Sequence, residues 1–169
     1  MCIRDRSKNA LQRSIIVLVV LLNIGCDQIS KDIVRKKVVA YDYIEILNDN
    51  FILTKVENTG AMLGFGQSLS PILKIIFLQA LPILVLLFLL YRILKKQDLD
   101  KWMVIAFAFV IGGGIGNLID RVAYGSVTDF FQIKIGPLKT GIFNMADVSV
   151  TSGAILIFVL LLRNKKLEF

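Results

Sequence analysis

The sequence predicts an all-α membrane protein of four transmembrane helices that carries a small extracytoplasmic β-element. Hydrophobic residues make up 56% of its 169 residues, against roughly 45–50% in soluble domains. Apolar stretches alternate with basic clusters, and the segments between them include strand-like alternation. Because a helix needs about 20 mostly apolar residues to cross a bilayer, we predict one integral-membrane domain, 1–169, with spans at about 12–33, 71–92, 101–121 and 143–163.

The first span has the weakest signal, because residues 14–26 form only a short uncharged run. Such a run is typical of a signal peptide, and "NIGCD" resembles a lipoprotein signal around Cys26. Asn23 stands where such a signal usually has leucine, and three more spans follow. We therefore predict a retained helix that continues past Cys26. Its outer end then carries Asp27 and Lys31, which are four residues apart and share a face where they can pair.

The opening "MCIRDR" is typical of a translated sequencing adapter, so residues 1–6, with Cys2, are expected to be an artefact. Only Cys26 then remains, which excludes a disulfide framework and a cysteine metal site. The chain has no histidine, which excludes Ser-His-Asp and Cys-His catalysis and H-E-x-x-H zinc sites. We expect no metal and no cofactor.

Basic clusters that flank the spans carry the net charge of +7. This arrangement favours membrane lipids with anionic headgroups as partners, and not nucleic acid. The positive-inside rule places both termini and the loop at residues 92–101 in the cytoplasm. Arg35, Lys36 and Lys37 contradict the rule locally, since they would then lie outside.

Two features mark the middle spans. In the second, Pro71 is placed to start a helix and Pro82 predicts a kink. In the third, Gly112 and Gly116 form a G-x-x-x-G pair, which predicts close helix packing.

The two outer segments, residues 38–70 and 122–142, contain the predicted β-element. In "FFQIKI", Phe131, Ile133 and Ile135 alternate with polar residues and share one face of a strand. Backbone of this kind must lie outside the hydrocarbon or be buried against protein.

Polar and ionisable residues concentrate at the outer helix ends and in the outer segments: Asn58, Asn117, Asp120, Arg121, Asp129, Asn144 and Asp147. Simple structural interpretations exist for them. Asp129 follows "GSVT" as a turn residue would. Asn144 and Asp147 suit the first turn of the fourth helix, as its cap and as a charge that favours the helix dipole.

The remaining polar residues also have open alternatives. Asp120 suits a structural ion pair or contact with water, and Arg121 can extend to the membrane surface. Asn58 and Gly60 in "VENTGAMLGFG" suit a reentry turn or a loop whose amide reaches a ligand.

Carboxylate acid–base catalysis is the chemistry that these residue types support best. Two carboxyl groups held close do not both ionise readily, so one keeps a proton while the other is charged. The charged group takes a proton from an attacking water, and the protonated group assists the carbonyl oxygen and the leaving amine. The sequence permits Asp129 and Asp147 to form such a pair but does not show that they meet.

Five motifs, in the order "DQISK", "ENTGAMLGFG", "GNLIDR", "VTDFF" and "FNMAD", resemble the lipoprotein signal peptidase family, also called signal peptidase II. The resemblance covers about residues 11–166. It implies an aspartyl endopeptidase of the bacterial inner membrane with its site at the outer face. Such an enzyme removes the signal peptide from diacylglyceryl-modified prolipoproteins, cuts just before the lipidated cysteine and is blocked by globomycin.

The resemblance also implies roles for individual residues. It assigns the catalytic dyad to Asp129 and Asp147, and a supporting role to Asp27 and Lys31. Residues that shape the site or bind substrate would be Asn58, Gly60, Asn117, Asp120, Arg121, Asn144 and Ala146.

The chain departs from the family pattern at Met62 and Leu63, where alanine and phenylalanine are more usual. This departure changes the expected pocket wall and leaves the dyad intact. The expected partners are prolipoprotein substrates and membrane lipids, and the expected state is a monomer.

Two other classes of protein compete with this interpretation. A small transporter or channel subunit would use Asp120, Asp129 and Asp147 as an ion or proton relay. A scaffold protein would use the same aspartates as helix caps or as partners of Arg121. A relay predicts acidic residues near the middle of the spans, whereas this sequence places them at span ends and in loops.

Overall fold

The computed structural model describes residues 3–96 and 99–163, with side chains from residue 12 onward. Cys2 and the basic residues Lys165 and Lys166 lie outside the described residues. The described part contains four helices long and apolar enough to cross a membrane, together with a four-stranded antiparallel sheet. The predicted fold class is therefore confirmed.

The four helices are α1 (Ile3–Lys37), α2 (Pro71–Lys95), α3 (Lys101–Tyr124) and α4 (Met145–Arg163). The apolar part of α1 begins at Gln12. Local signals set their ends. The second helix starts at Pro71, as predicted, with Ser70 as its cap, and Asp100 caps α3. Gly125 ends α3 with a φ of 72°, a left-handed conformation that favours glycine.

Directly before Pro82, where the sequence predicts a kink, α2 contains a π-helical stretch. Ile75–Ala80 is π-helical, and Leu81–Lys95 continues as α-helix. A proline ring crowds the carbonyl four residues earlier and removes one backbone donor. The wider turn directly before Pro82 accommodates both effects, so α2 runs on as one element.

Glycines let α3 lie close to both α1 and α4. A Cβ atom on Gly112 would lie 2.7 Å from Cβ of Asn23 in α1. On Gly113 it would overlap the carbonyl oxygen of Ala146 in α4, and on Gly116 it would lie 2.7 Å from Oδ2 of Asp27. The predicted close packing is confirmed, and it places α3 between the other two helices.

The sheet has the order β1 (Ile44–Leu47), β2 (Phe51–Asn58), β3 (Val127–Ile135) and β4 (Leu138–Lys139). All neighbouring strands are antiparallel. The strand predicted from "FFQIKI" begins earlier, at Val127. Asp129 therefore lies inside β3, and its interpretation as a turn residue is wrong.

Two contacts fix the sheet to one end of the helix bundle. Phe130 of β3 is buried against Val34 and Val38 at the end of α1. Phe143, which comes just before α4, exchanges backbone hydrogen bonds of 2.8 Å with Phe131 of β3. The end of α1, the start of α4 and the middle of β3 therefore meet.

Candidate active site

Asp147 is part of the first turn of α4. Its backbone N–H donates to Oδ1 of Asn144 at 3.0 Å, and the backbone N–H of Asn144 donates to Oδ2 of Asp147 at 3.1 Å. This reciprocal pair has the geometry of a capping box. The predicted cap at Asn144 is confirmed. Oδ1 of Asp147 is left for another partner and accepts from Nδ2 of Asn117 at 2.9 Å.

Asp129 is buried in β3, with 5% of its surface exposed. Its Oδ1 accepts from Nδ2 of Asn144 at 2.6 Å, and its Oδ2 accepts from Nδ2 of Asn58 at 3.1 Å. Asn58 is held by its own turn, because its Oδ1 accepts from the backbone N–H of Gly60 at 2.9 Å. The predicted turn at Asn58 and Gly60 is thus present and touches Asp129.

Asn144 connects the two carboxylates, since its amide contacts Asp129 and its backbone contacts Asp147. Both aspartates line one cavity of about 600 Å³. The backbone pairing of Phe131 with Phe143 aligns the two chain segments that carry them. The structure therefore brings Asp129 and Asp147 together at one site.

The cavity wall contains some of the other predicted residues. Asn58, Asn117 and Arg121 line it, as do Met62 and Leu63, the two departures from the family pattern. The latter two side chains are 83% and 75% exposed. The two departures therefore lie in the pocket wall, and their effect on the pocket stays a prediction.

Arg121 reaches the loop after β2. Its Nη2 donates to the carbonyl oxygen of Gly60 at 3.1 Å, whereas its Nε is buried and has no hydrogen-bond partner among the described residues. A Cβ atom on Gly60 would lie 2.7 Å from the carbonyl oxygens of Gly64 and Phe65. Only glycine fits there, because the loop folds back tightly on itself.

Behind the cavity lies an ion cluster, formed by Asp27, Lys31, Arg35 and Asp120. Lys31 Nζ lies 2.7 Å from Oδ2 of Asp27 and 3.1 Å from Oδ2 of Asp120. Arg35 Nη2 lies 2.8 Å from the same oxygen of Asp120. The side chains of Asp27, Lys31 and Asp120 are fully buried. The predicted pairing of Asp27 with Lys31 is confirmed.

The ion cluster changes the interpretation of two predicted site residues. Asp120 pairs with Lys31 and Arg35 and is not part of the cavity wall. Of the two structural alternatives for Asp120, the ion pair is confirmed and contact with water is wrong. Ala146 is fully buried, and its backbone N–H donates to Oδ1 of Asp27 at 2.9 Å. Asp120 and Ala146 therefore contact the ion cluster and do not line the cavity.

Asn117 joins the ion cluster to the cavity. Its Oδ1 accepts from Nζ of Lys31 at 2.9 Å and from Nδ2 of Asn144 at 3.1 Å, while its Nδ2 donates to Asp147. A buried cation therefore sets the orientation of the amide that holds Asp147.

The sequence interpretation missed Arg35 and Gln28. Arg35 was expected only as a charge on the wrong side of the membrane, yet it pairs with Asp120 and lies 4.2 Å over the ring of Tyr124. Gln28 donates to both Asp27 and Asp120. One signal for Arg35 was available, because it follows Asp27 and Lys31 at steps of four residues and so shares their helix face.

The surroundings of Asp129 affect its titration. Burial raises the pKa of Asp129 to about 6, and the charge of Asp147 acts in the same direction. Hydrogen bonds from Asn58 and Asn144 and the charge of Lys31 oppose this rise. Burial is the largest effect, so Asp129 takes up a proton far more readily than an exposed carboxyl group.

The described residues contain no group of three or more histidine, cysteine, aspartate or glutamate side chains that could hold a metal ion. The polar side chains around the cavity include two carboxylates, two amides and the guanidinium of Arg121. This set is suited to proton transfer between a water molecule and a carbonyl substrate.

Comparison with known proteins identifies the family. The family model described as signal peptidase (SPase) II matches residues 17–163. The chain is 37% identical to the lipoprotein signal peptidase of Clostridioides difficile (strain 630) over 151 residues, which cover 88% of this chain and 97% of that protein. For the lipoprotein signal peptidase of Halothermothrix orenii, the identity is 34% over 151 residues, with coverage of 89% and 97%.

The fold is similar as well. A solved structure of a bacterial membrane enzyme superposes with a TM-score of 0.78 at 32% identity, covering 91% of this chain and 92% of that one. These matches favour neither the transporter nor the scaffold interpretation. The chain belongs to the signal peptidase II family, and it is a multi-pass membrane protease of the lipoprotein-processing type.

Proposed function

We propose that Asp129 and Asp147 form a catalytic dyad that activates water to cut diacylglyceryl-modified prolipoproteins just before the lipidated cysteine. The observation that carries the proposal is the placement of both carboxylates on one cavity, with all four oxygens hydrogen-bonded to neutral amides. Each oxygen accepts one such bond and keeps one lone pair for water, substrate or a proton.

The reaction follows from unequal protonation of the two groups. Burial and the charge of Asp147 raise the pKa of Asp129, which supports placing the shared proton there. The charged Asp147 takes a proton from water as the water oxygen attacks the scissile carbonyl. Asp129 donates a hydrogen bond to the carbonyl oxygen, and the dyad passes the proton taken from water to the leaving amine as the C–N bond breaks.

The amides and Arg121 prepare the site for this step. Asn58, Asn117 and Asn144 hold the carboxylates in place before substrate arrives. Arg121 fixes the Gly60 loop and lines the cavity, which supports a role in contacting the substrate.

The location of the site suits a lipid-tethered substrate. An acyl-anchored chain presents its scissile bond at the membrane surface, so catalytic groups at helix ends can reach it. We place this end of the bundle at the outer face of the bacterial inner membrane and both termini in the cytoplasm, and we expect a monomer to be sufficient. The pairing of Arg35 with Asp120 supports this orientation, because it balances one of the basic charges at odds with the positive-inside rule.

Cleavage of a purified diacylglyceryl prolipoprotein tests the proposal. We expect the parent to release the signal peptide, and Asp129→Asn and Asp147→Asn each to lower the rate by about 10²–10⁴-fold. Asp32→Asn is the matched control, because Asp32 is an exposed aspartate that pairs with Lys36 on the surface of α1. It should keep the parental rate, and a chelator should have no effect.

Two results would contradict the proposal. Parental activity in both dyad variants would exclude the dyad, and a folded parent that leaves the lipidated substrate intact would exclude this cleavage reaction. Thermal unfolding in detergent establishes that each variant is folded.

A further inference from the structure

A second hydrogen-bonded group lies behind Asp129, on the opposite face of β3. Successive side chains of a strand point to opposite faces, so Thr128 points away from the cavity that Asp129 lines. Thr128 is fully buried. Its Oγ1 accepts from Nε of Arg35 at 2.8 Å and donates to Oε1 of Glu57 at 2.8 Å. The residue next to Asp129 is therefore held by two charged side chains.

The same group ties β2 to β3. Glu57 lies directly opposite Thr128 in the ladder, and its Oε2 accepts from Oγ of Ser126 at 2.6 Å. Asn58, the next residue of β2, donates to Asp129 on the other face. Two adjacent pairs of residues therefore join β2 to β3. Glu57 contacts Thr128 on one face of the sheet, and Asn58 contacts Asp129 on the other.

Arg35 extends this group to the helices. Its Nη2 lies 2.8 Å from Oδ2 of Asp120, and the backbone N–H of Thr128 donates to the same oxygen at 3.3 Å. Arg35 belongs to α1 and Asp120 to α3. The backbone next to Asp129 is therefore fixed relative to both helices.

We infer that Arg35, Thr128 and Glu57 are positioning residues that set the depth and direction of the Asp129 carboxylate. The inference rests on the proposed catalytic role of Asp129. None of the three side chains is part of the cavity wall, so each acts through β3 and not on the substrate. A misplacement of a reacting group by about 1 Å can lower a rate by about 10²-fold.

The test compares three variants in the prolipoprotein cleavage assay. Thr128→Val keeps the β-branched shape and removes both side-chain hydrogen bonds, so kcat should fall by about tenfold while KM stays within about twofold. Thr128→Ser keeps the hydroxyl group and should restore kcat to within about threefold of the parent. Thr54→Val is the matched control, since Thr54 is also a buried threonine of this sheet. Within the described part of the chain, its side chain forms no hydrogen bond with Arg35, Thr128 or Glu57.

The outcomes separate this inference from the proposed function. A folded Thr128→Val with parental kcat, or with a change in KM alone, overturns the positioning role even if Asp129→Asn is inactive. Parental activity in Asp129→Asn instead contradicts the dyad itself. A loss in Thr128→Val that Thr128→Ser does not restore also counts against the hydrogen bonds.

A variant of Glu57 keeps the test decisive if Thr128→Val does not fold. Glu57 has an exposed side chain, so Glu57→Ala removes the acceptor with little loss of packing. We expect kcat to fall by at least about threefold in Glu57→Ala and to return in Glu57→Gln, which keeps an acceptor oxygen. Parental kcat in folded Glu57→Ala would overturn the inference.

Discussion

Two groups of aspartates lie at the same end of the helix bundle and differ in their partners. Among the described residues, the dyad, Asp129 and Asp147, accepts hydrogen bonds only from neutral amide groups. The ion cluster holds Asp27 and Asp120 against the cations Lys31 and Arg35. Both groups are buried or half-buried, so burial alone does not distinguish them.

The difference shows how neighbouring carboxylates are given different tasks. A cation at hydrogen-bond distance balances the charge of a buried carboxylate and ties that carboxylate to one partner. Neutral amides fix the direction of a carboxylate but add no full charge, so a proton can still be gained or lost. The ion cluster is therefore suited to structure, and the dyad to proton transfer.

Removal of the buried cation should have the largest effect on stability. Lys31→Met leaves Asp27 buried without a cation, and we expect the free energy of unfolding to fall by about 3–5 kcal/mol. Lys36→Met is the matched control on the same helix. Lys36 also lies 2.7 Å from an aspartate four residues earlier, Asp32, but the two side chains are 70% and 56% exposed.

Thermal unfolding in detergent measures both variants. Lys36→Met should change the free energy of unfolding by less than about 0.5 kcal/mol, because exposed pairs are screened by water. If both variants lost the same free energy of unfolding, burial would not explain any difference between the Lys31 and Lys36 ion pairs.

Asn117→Asp should remove one difference between the two groups, because it places a charged side chain, in place of a neutral amide, beside Asp147. Asn117→Asp keeps an acceptor for Lys31 but cannot donate to Asp147 when ionised. We expect the cleavage rate to fall by about 10²-fold, as when one preorganised donor is lost from an active site. The thermal midpoint should change little, because Lys31 keeps an acceptor at this position and its ion pairs with Asp27 and Asp120. Parental cleavage would show that Asp147 does not need this donor.

The smallest predicted effect is a gain of stability in Asp129→Asn. The pKa of Asp129 is about 6 in the folded protein, above its ordinary value, so the folded state binds the proton more tightly than the unfolded state. The stability from this proton is complete below the unfolded pKa and is lost as pH rises through about 6. At pH 8 the parent therefore holds a buried charged carboxylate that lowers its free energy of unfolding. The neutral amide of Asp129→Asn carries no such charge.

Thermal unfolding at several pH values checks this prediction. Asp129→Asn should exceed the parent by about 1–3 kcal/mol at pH 8 and should not exceed it at pH 4. The same gain at both pH values would exclude the titration of Asp129 as its cause.

The sequence predicted those features that depend on local pattern. The four helices followed from the length of their apolar stretches, and the cap at Asn144 followed from residue type at a helix start. "FFQIKI" predicted a strand, although not its beginning at Val127. There, "VTD" lacks the alternation that marks a half-buried strand, because Val127, Thr128 and Asp129 are all buried.

The features that the sequence did not predict depend on contacts between distant segments. Arg35 meets Asp120 and Thr128 only because α1, α3 and β3 converge. The positive-inside rule counts Arg35 only as a positive charge in a loop or helix end. Its partners lie far away in the sequence, so no local pattern predicts them. Gln28 was missed for the same reason, since its amide is satisfied by Asp120 of another helix.

The backbone pairing of Phe131 with Phe143 also has a consequence for biogenesis. Asp129 is carried by the chain segment before this pairing, and Asp147 by the segment after it. A nascent chain that has inserted only its first three helices holds one carboxylate without the other. If the dyad is required, proteolysis begins only after the last helix has docked, and unfinished chains leave nearby membrane proteins uncut.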